Sequence, residues 1–250
     1  GVVAPPGMVL CGADQVLEGV HFENGTSPFY VGRKAMNRNL SDVAAMAALP
    51  HAAIVTAALP RGFGIENAKQ LYLGIEAAGA VFDCPIVGGD TGSWPGPLAV
   101  SVAILADRAG VTPARRHDAR PGDGLFVTGR LGDSFASGRH LTFTPRIREA
   151  RRLVRTSDIT AMMDLSDGLA RDLPRLCTAS GVGADLDSAA IPCHTTVDAA
   201  LGDGEDYELL LAASGTVDPA LATRIGTVTA EPGVRIDGKP LPTGGWEHRL

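Results

Sequence analysis

The sequence predicts an α/β (α+β) protein of two domains, residues 1–110 and 111–250. Three observations predict it. Stretches that read as helices and strands alternate from end to end, the pattern of layered α/β folds. Near Val111 the texture changes, from small apolar residues to the charged, turn-rich "RRHDARPGDGLFVTGRLGDS". The composition, 45% apolar and 20% charged over 250 residues, is that of a globular protein with room for one large or two modest domains.

The elements follow in order. "MVLCGADQVLEGVHF" reads as a strand followed by an acidic turn. "YVGRKAMNRNLSDVAAMAALP" reads as a helix stopped by Pro50, with Ala44, Ala45, Ala47 and Ala48 small enough for close packing. "AAIVTAALP" is a strand ending in proline. "GIENAKQLYLGIEAAGAVFD" is a second helix, with Gly79 near its exit. "CPIVGG" and "PLAVSVAILA" are strands on either side of a "DTGSWPG" loop. The latter strand is apolar almost throughout, which predicts burial.

Beyond Val111, "ARPGD" is a turn, "GLFVTG" a short strand, and "RLGDSFASGRH" a glycine-rich turn into a helix. "PRIREARRLVRTS" is a basic helix. "ITAMMDLSDGLARDLPRLCTASGVGADLD" reads as strand, acidic turn, glycine-capped helix and strand. "GDGEDYELLLAAS" is a turn into a strand, and the tail to Trp246 is rich in turns. No strong internal repeat appears.

The totals exclude several classes. The net charge of -6 and the lack of a basic run argue against nucleic acid as a partner. No apolar run approaches the roughly 18 residues of a spanning helix, so no membrane partner is expected. "GVVAPPGMVL" is short, broken by prolines and lacks a basic start, so it does not read as a signal peptide. Cys11, Cys84, Cys177 and Cys193 have no CxxC spacing and read as structural thiols of a reducing compartment. The expectation is a cytoplasmic protein.

Carboxylates beside apolar stretches are the main chemical signal. Asp14, Asp42, Asp90 and Asp167 each follow an apolar or small-residue segment. Hard oxygen donors suit Mg²⁺, which takes one or two carboxylates and fills its shell with phosphate oxygens. The competing reading is capping, since Asp42 and Asp167 lie beside helical segments. Gly88 and Gly89 either bring backbone amides to a phosphate chain or make an ordinary turn. Neither a P-loop nor a dinucleotide fingerprint is present. His21 either holds a substrate group or satisfies a core hydrogen bond. Ser166 has no base beside it, so it reads as a phosphate hydrogen-bonder rather than a nucleophile.

Six stretches occur in a distinctive order: "ADQVLEGVHF", "RKAMNRNLSDVAAMAALP", "IVGGDT", "ARPGDGLFVTGRLGDS", "DLSDGLARDL" and "GDGEDYEL". Together they resemble the thiamine-monophosphate kinase family, within the aminoimidazole-ribonucleotide synthetase-like superfamily. The resemblance spans about Gly12 to Trp246. It implies a two-domain fold whose N-terminal domain binds ATP and Mg²⁺ and joins a homodimer. It implies direct transfer of the γ-phosphoryl of ATP to thiamine monophosphate.

By that resemblance Asp14, Asp42, Asp90 and Asp167 hold Mg²⁺, and Asp90 and Asp167 are catalytic. Asn39, Gly88, Gly89, Ser166 and Asp167 lie toward the nucleotide. His21, Glu205, Tyr207 and Trp246 lie toward the thiamine substrate. The family's Gly-Asp-Asp-Ala-Ala motif, one of whose acids binds metal, would fall before Gly1, and the departures within the sequence begin with Gly12 and Ala13 in place of hydroxyl residues. "GGDTGSWPGP" replaces an arginine-containing loop, and Asp203 replaces a glycine. Two alternatives stay open: another ATP-dependent enzyme of the superfamily, activating an amide or formyl oxygen, or a non-catalytic nucleotide- or metal-binding protein.

Overall fold

The structure is a computed structural model and describes residues 2–3 and 9–246. The chain divides into two compact units. One comprises residues 1–43, 48–110 and 141–145, the other residues 44–47, 111–140 and 146–250.

The first unit runs β1 (Val2–Val3), β2 (Val9–Leu17), α1 (Pro28–Ala45), β3 (Leu49–Pro60), α2 (Ile65–Ala80), β4 (Ile86–Trp94) and β5 (Ala99–Asp107). Its sheet has the order β1-β2-β5-β3-β4. Only β3 and β4 are parallel, and α2 supplies the crossover such a pair needs. Along β5 burial alternates: Val100, Val102, Ile104 and Ala106 are buried, while Leu105 is exposed. The buried row faces α1, because Asp14, opposite Val102, bonds a side chain of that helix. The expectation of burial on both faces of β5 is therefore corrected: one face is covered, and Val9, Ile54 and Leu105 on the other are exposed.

Two glycines let α1 and α2 meet backbone to backbone. A Cβ at Gly32 would stand 2.1 Å from the Leu71 carbonyl oxygen, and one at Gly74 would stand 1.9 Å from that of Phe29. Gly79 is explained the same way. It does not cap α2; its missing Cβ makes room for the Cys84 carbonyl and Met36.

Two strand boundaries differ from expectation. The acidic turn after β2 lies further on, and Asp14 is inside the strand, paired with Val102. The "DTGSWPG" loop is mostly strand too, because β4 continues through Asp90 to Trp94, in register with Ala53–Pro60 of β3. Backbone pairing to β3 overrides the turn preference of its glycines.

The second unit runs β6 (Gly124–Val127), α3 (Ile147–Thr156), β7 (Asp158–Asp164), α4 (Leu169–Ser180), β8 (Gly183–Leu186), α5 (Val197–Gly202), β9 (Leu209–Ser214), β10 (Thr223–Thr229), β11 (Gly233–Ile236) and β12 (Lys239–Pro240). The sheet order is β12-β11-β8-β10-β6-β9-β7. α4 places Leu169, Leu173, Leu176 and Cys177 on one stripe against Leu125, Val127 and Leu210 of the sheet. Each buried leucine contributes about 1.5–3 kcal/mol. Gly181, at φ 68°, ends the helix in the left-handed cap that the sequence predicts.

"RLGDSFASGRH" does not enter an α-helix. It forms turns and a short 3₁₀ segment at Arg139–Leu141, because its polar groups bond one another locally. Three strands, β10 to β12, occupy much of the tail expected to be turns. Among the described residues no helix is long and apolar enough to cross a membrane.

Candidate active site

In the second unit four chain segments meet. Leu165–Gly168 follows β7, Asp203–Glu208 precedes β9, Gly129–Ser134 follows β6, and Gly244–Trp246 closes the tail. Backbone hydrogen bonds join them. The Glu205 amide donates to the Ser166 carbonyl at 2.7 Å, and the Tyr207 amide to that of Leu165 at 2.8 Å. The Trp246 amide donates to the Asp167 carbonyl at 2.9 Å. Ser166, Asp167, Glu205, Tyr207 and Trp246, far apart in sequence, are thus brought into one cluster.

Asp167 does not cap α4. The cap position is Gly168, which has no side chain to offer. The loop amides are satisfied from inside the helix instead. The Asp172 Oδ2 accepts from the amides of Ser166 at 3.0 Å and Asp167 at 2.9 Å. Arg175 Nη1 then donates to Asp172 Oδ1 at 2.8 Å and to Asp167 Oδ2 at 2.5 Å. Burial pushes the Asp172 carboxyl up to about 6, the amide of Asp167 pulling the other way.

The acidic turn before β9 divides into two kinds of residue. Asp206 and Glu208 are buried, while Glu205 is half-buried and Asp203 exposed. Asp206 accepts from the Gly132 amide, the Ser134 hydroxyl and Arg139 Nη2, the last at 2.8 Å. Glu208 takes both Nε and Nη2 of Arg146, at 2.7 and 2.6 Å, and the Thr128 hydroxyl at 2.7 Å. Buried carboxylates supplied this fully with donors are structural clamps. Asp203, the departure from the family pattern, accepts from the Asp133 amide.

What the clamps hold is strained. Asp133, Glu205 and Tyr207 have φ of 62°, 58° and 52°, and none is glycine. Each costs about 1–3 kcal/mol and persists only where its surroundings over-determine it. The Tyr207 hydroxyl donates to Glu205 Oε2 at 3.2 Å, which orients that carboxylate within the cluster. Sequence reasoning missed Asp172, Arg175, Arg139 and Arg146. Only the first two leave a local signal, an acid and a base three apart on one helix face.

In the first unit, Asp14, Asn39 and Asp42 meet where β2 packs on α1. Arg38 Nε donates to Asp14 Oδ2 at 2.8 Å, and Asn39 Oδ1 accepts from the Asp14 amide at 2.8 Å. A Cβ at Gly12 would stand 3.8 Å from Asp42 Oδ2, so that carboxylate leans over the same strand. Asp42 lies in the last turn of α1, so it cannot be an N-terminal cap. An acid at that end opposes the helix dipole.

The structure does not bring Asp90 to Asp14. The Asp14 row crosses the sheet through Val102 and Val55 to Gly89, whereas the Asp90 row runs through Thr56 and Ser101 to Gln15. Adjacent rows point to opposite faces, and three strand spacings make roughly 14 Å. Asp90 is exposed and, among the described residues, bonds only the neighbouring Thr91 amide. Gly89 is bare because of β3: a Cβ there would fall 1.9 Å from the Val55 carbonyl oxygen, while Gly88 faces open space. Neither lies in a turn. His21 is buried, with Nδ1 accepting from the Leu17 amide at 3.0 Å and its carbonyl accepting from Lys34 Nζ. That geometry supplies the core hydrogen bond.

Among the described residues no three His, Cys, Asp or Glu side chains stand close enough to hold a metal alone. The Asp14–Asp42 pair and the single Asp167 fit a different demand, that of Mg²⁺, which takes one or two carboxylates and completes its shell with phosphate and water oxygens. A pocket of about 450 Å³ lies between α4 and the tail, beside Pro174, Cys177 and Leu241. Its lining carries no charged side chain to compensate a phosphate.

Comparison with known proteins adds to this geometry. Residues 1–106 match the family model of AIR synthase related protein, N-terminal domain, and residues 110–239 that of its C-terminal domain. The chain is 40% identical over 215 residues to thiamine-monophosphate kinase of Rhodopirellula baltica, covering 81% of this chain and 67% of that protein. It is 32% identical over 273 residues to that of Aquifex aeolicus, covering 96% and 88%. A solved chain described as AaThiL complexed with AMPPCP and TMP superposes with a TM-score of 0.89 at 31% identity, covering 97% of this chain and 87% of its own.

Proposed function

The chain belongs to the thiamine-monophosphate kinase family, and we propose that it phosphorylates thiamine monophosphate to thiamine diphosphate with ATP. One observation carries the reading. The fold gathers Ser166, Asp167, Glu205, Tyr207 and Trp246 into a single braced cluster. In this reading Asp167 is the acid for a phosphate-bound cation, and Trp246, whose amide bonds the Asp167 carbonyl, is the exposed aromatic for a thiazolium ring.

The acceptor is a phosphate oxygen, already ionised near neutral pH. The chain therefore needs no strong general base, and positioning with charge compensation supplies the rate. Mg²⁺, when bound, would neutralise charge on the phosphate oxygens. Asp167 is the carboxylate that would hold such a cation in the second unit, and Asp14 with Asp42 the pair that would hold one in the first. Asp90 does not share that set with Asp14; its carboxylate serves from the open face of the sheet. The Ser166 amide is committed to Asp172, so its hydroxyl is the group left for the nucleotide phosphates. Trp246 stacks on the cationic ring, an arrangement favoured by the indole face. Glu205, oriented by Tyr207, faces the same substrate.

The exposed apolar residues Val9, Ile54 and Leu105 lie on the uncovered sheet face. A second copy seated there would bury them, and we include a two-fold homodimer in this reading. Sedimentation at micromolar concentration should show the dimer; monomer alone removes that part. The reaction itself is tested with purified protein, ATP, Mg²⁺ and thiamine monophosphate, the product identified by mass. Thiamine diphosphate is expected. ATP consumed without it would overturn the acceptor. Trp246→Ala should raise KM for the thiamine substrate more than for ATP, and equal effects would remove the stacking role.

A further inference from the structure

We propose that Asp172 and Arg175 are positioning residues for phosphoryl transfer: they set the Ser166–Asp167 loop so that Asp167 presents one carboxylate oxygen, Oδ1, to the cation. This rests on the reading of Asp167 as a metal ligand. Asp172 is fully buried in α4, yet the packing of that helix is supplied by Leu169, Leu173 and Leu176. Burying a carboxylate is costly unless every contact is made. A serine or asparagine at the cap would satisfy a loop amide more cheaply. The fold instead places a charge beneath the loop and bonds it to two consecutive amides, those of Ser166 and Asp167.

Arg175 completes the device. The same Nη1 atom bridges Asp172 Oδ1 and Asp167 Oδ2. The loop is thereby held at its backbone through Asp172 and at its side chain through Arg175. The bridge uses Oδ2, and Oδ1 is outside it. Two carboxylates share one guanidinium, so the group keeps one negative charge. That remaining charge belongs where a cation has to bind, and the bond from Arg175 to Oδ2 restrains rotation of the Asp167 carboxylate. Partners of this kind behind a ligand are typically worth about 10–100-fold in metal affinity or rate.

The test uses the full chain with Mn²⁺ as probe and a non-hydrolysable ATP analogue, free Mn²⁺ being read by electron paramagnetic resonance. Asp172→Asn and Arg175→Gln should each weaken Mn²⁺ binding about tenfold and lower kcat by a similar factor, with KM for thiamine monophosphate within about twofold. Arg175→Lys should recover part of the loss. Arg175 is 40% exposed, and without its guanidinium Asp172 keeps the Ser166 and Asp167 amides, so Arg175 variants should stay folded even where Asp172→Asn melts early; the melting temperature of each variant checks this. Mn²⁺ affinity and kcat within about twofold of the parent in Arg175→Gln would overturn the proposal and leave Asp167 a ligand. Unchanged affinity in Asp167→Asn would overturn the ligand reading, and this proposal with it.

Discussion

"IVGGDTG" and "MMDLSDGL" look alike in sequence: an apolar step, a small residue or two, then an acid. In the fold they differ in nearly every physical respect. Asp90 stands in the middle of β4, an exposed strand at one edge of its sheet, and its carboxylate accepts from the next amide. Asp167 stands in a loop whose amides, carbonyl and side chain are all engaged, by Asp172, Trp246 and Arg175. An acid after an apolar run marks a place where the chain can display charge. Whether that charge is held in one geometry is decided by residues elsewhere.

Four substitutions test this contrast. The largest expected effect is on the clamp beneath the braced side. Asp206→Ala removes the buried carboxylate that Arg139, the Gly132 amide and the Ser134 hydroxyl share, and should cost about 3–5 kcal/mol in urea unfolding. A loss under about 1 kcal/mol would show that the strained turn is held by other means. Asp167→Asn comes next. It should lower kcat about 100-fold, or about 2.7 kcal/mol, with little change in melting temperature. A collapse of the melting temperature instead would make Asp167 a structural acid.

On the exposed side the expected effects are smaller. Gly89→Ala pushes a methyl group into the Val55 carbonyl, and about 1–3 kcal/mol of destabilisation should appear in the same unfolding assay. Asp90→Asn should change stability by no more than about 0.5 kcal/mol. With stability constant, its turnover is a clean reading. A loss of tenfold or more would give the exposed carboxylate a part in the chemistry, and normal turnover would leave it none.

The alternation of elements and most of their order were legible in the sequence, because the 3.6-residue stripe of α4 and the alternation of β strands are local properties. The bracing of the site was not. Arg139 and Arg146 lie more than sixty residues from the acids they meet, and nothing in "FASGRH" or "TPRIRE" names a partner. Asp42 did carry a signal that went unused, since an acid in the last turn of a helix opposes the dipole and calls for another explanation. The strands of the tail were signalled too. Asp237 and Gly238, at φ 50° and 75°, form the two-residue hairpin between β11 and β12, a turn that the "DG" pair favours strongly. The face on which Asp90 sits depends on register with β3, which no local pattern records.

The tail's bond to the Asp167 carbonyl also makes the site observable by light. Trp246 is one of two tryptophans in the chain, half exposed, and its own amide is the donor in that bond. The other, Trp94, is at the end of β4, with its indole nitrogen committed to the Pro97 carbonyl. Replacing Trp94 by phenylalanine leaves a single indole whose backbone is anchored to the loop that carries the acid. Emission from that indole would report arrival and departure of a ring stacked upon it during single turnovers, with unlabelled substrate and no chemical modification of the protein.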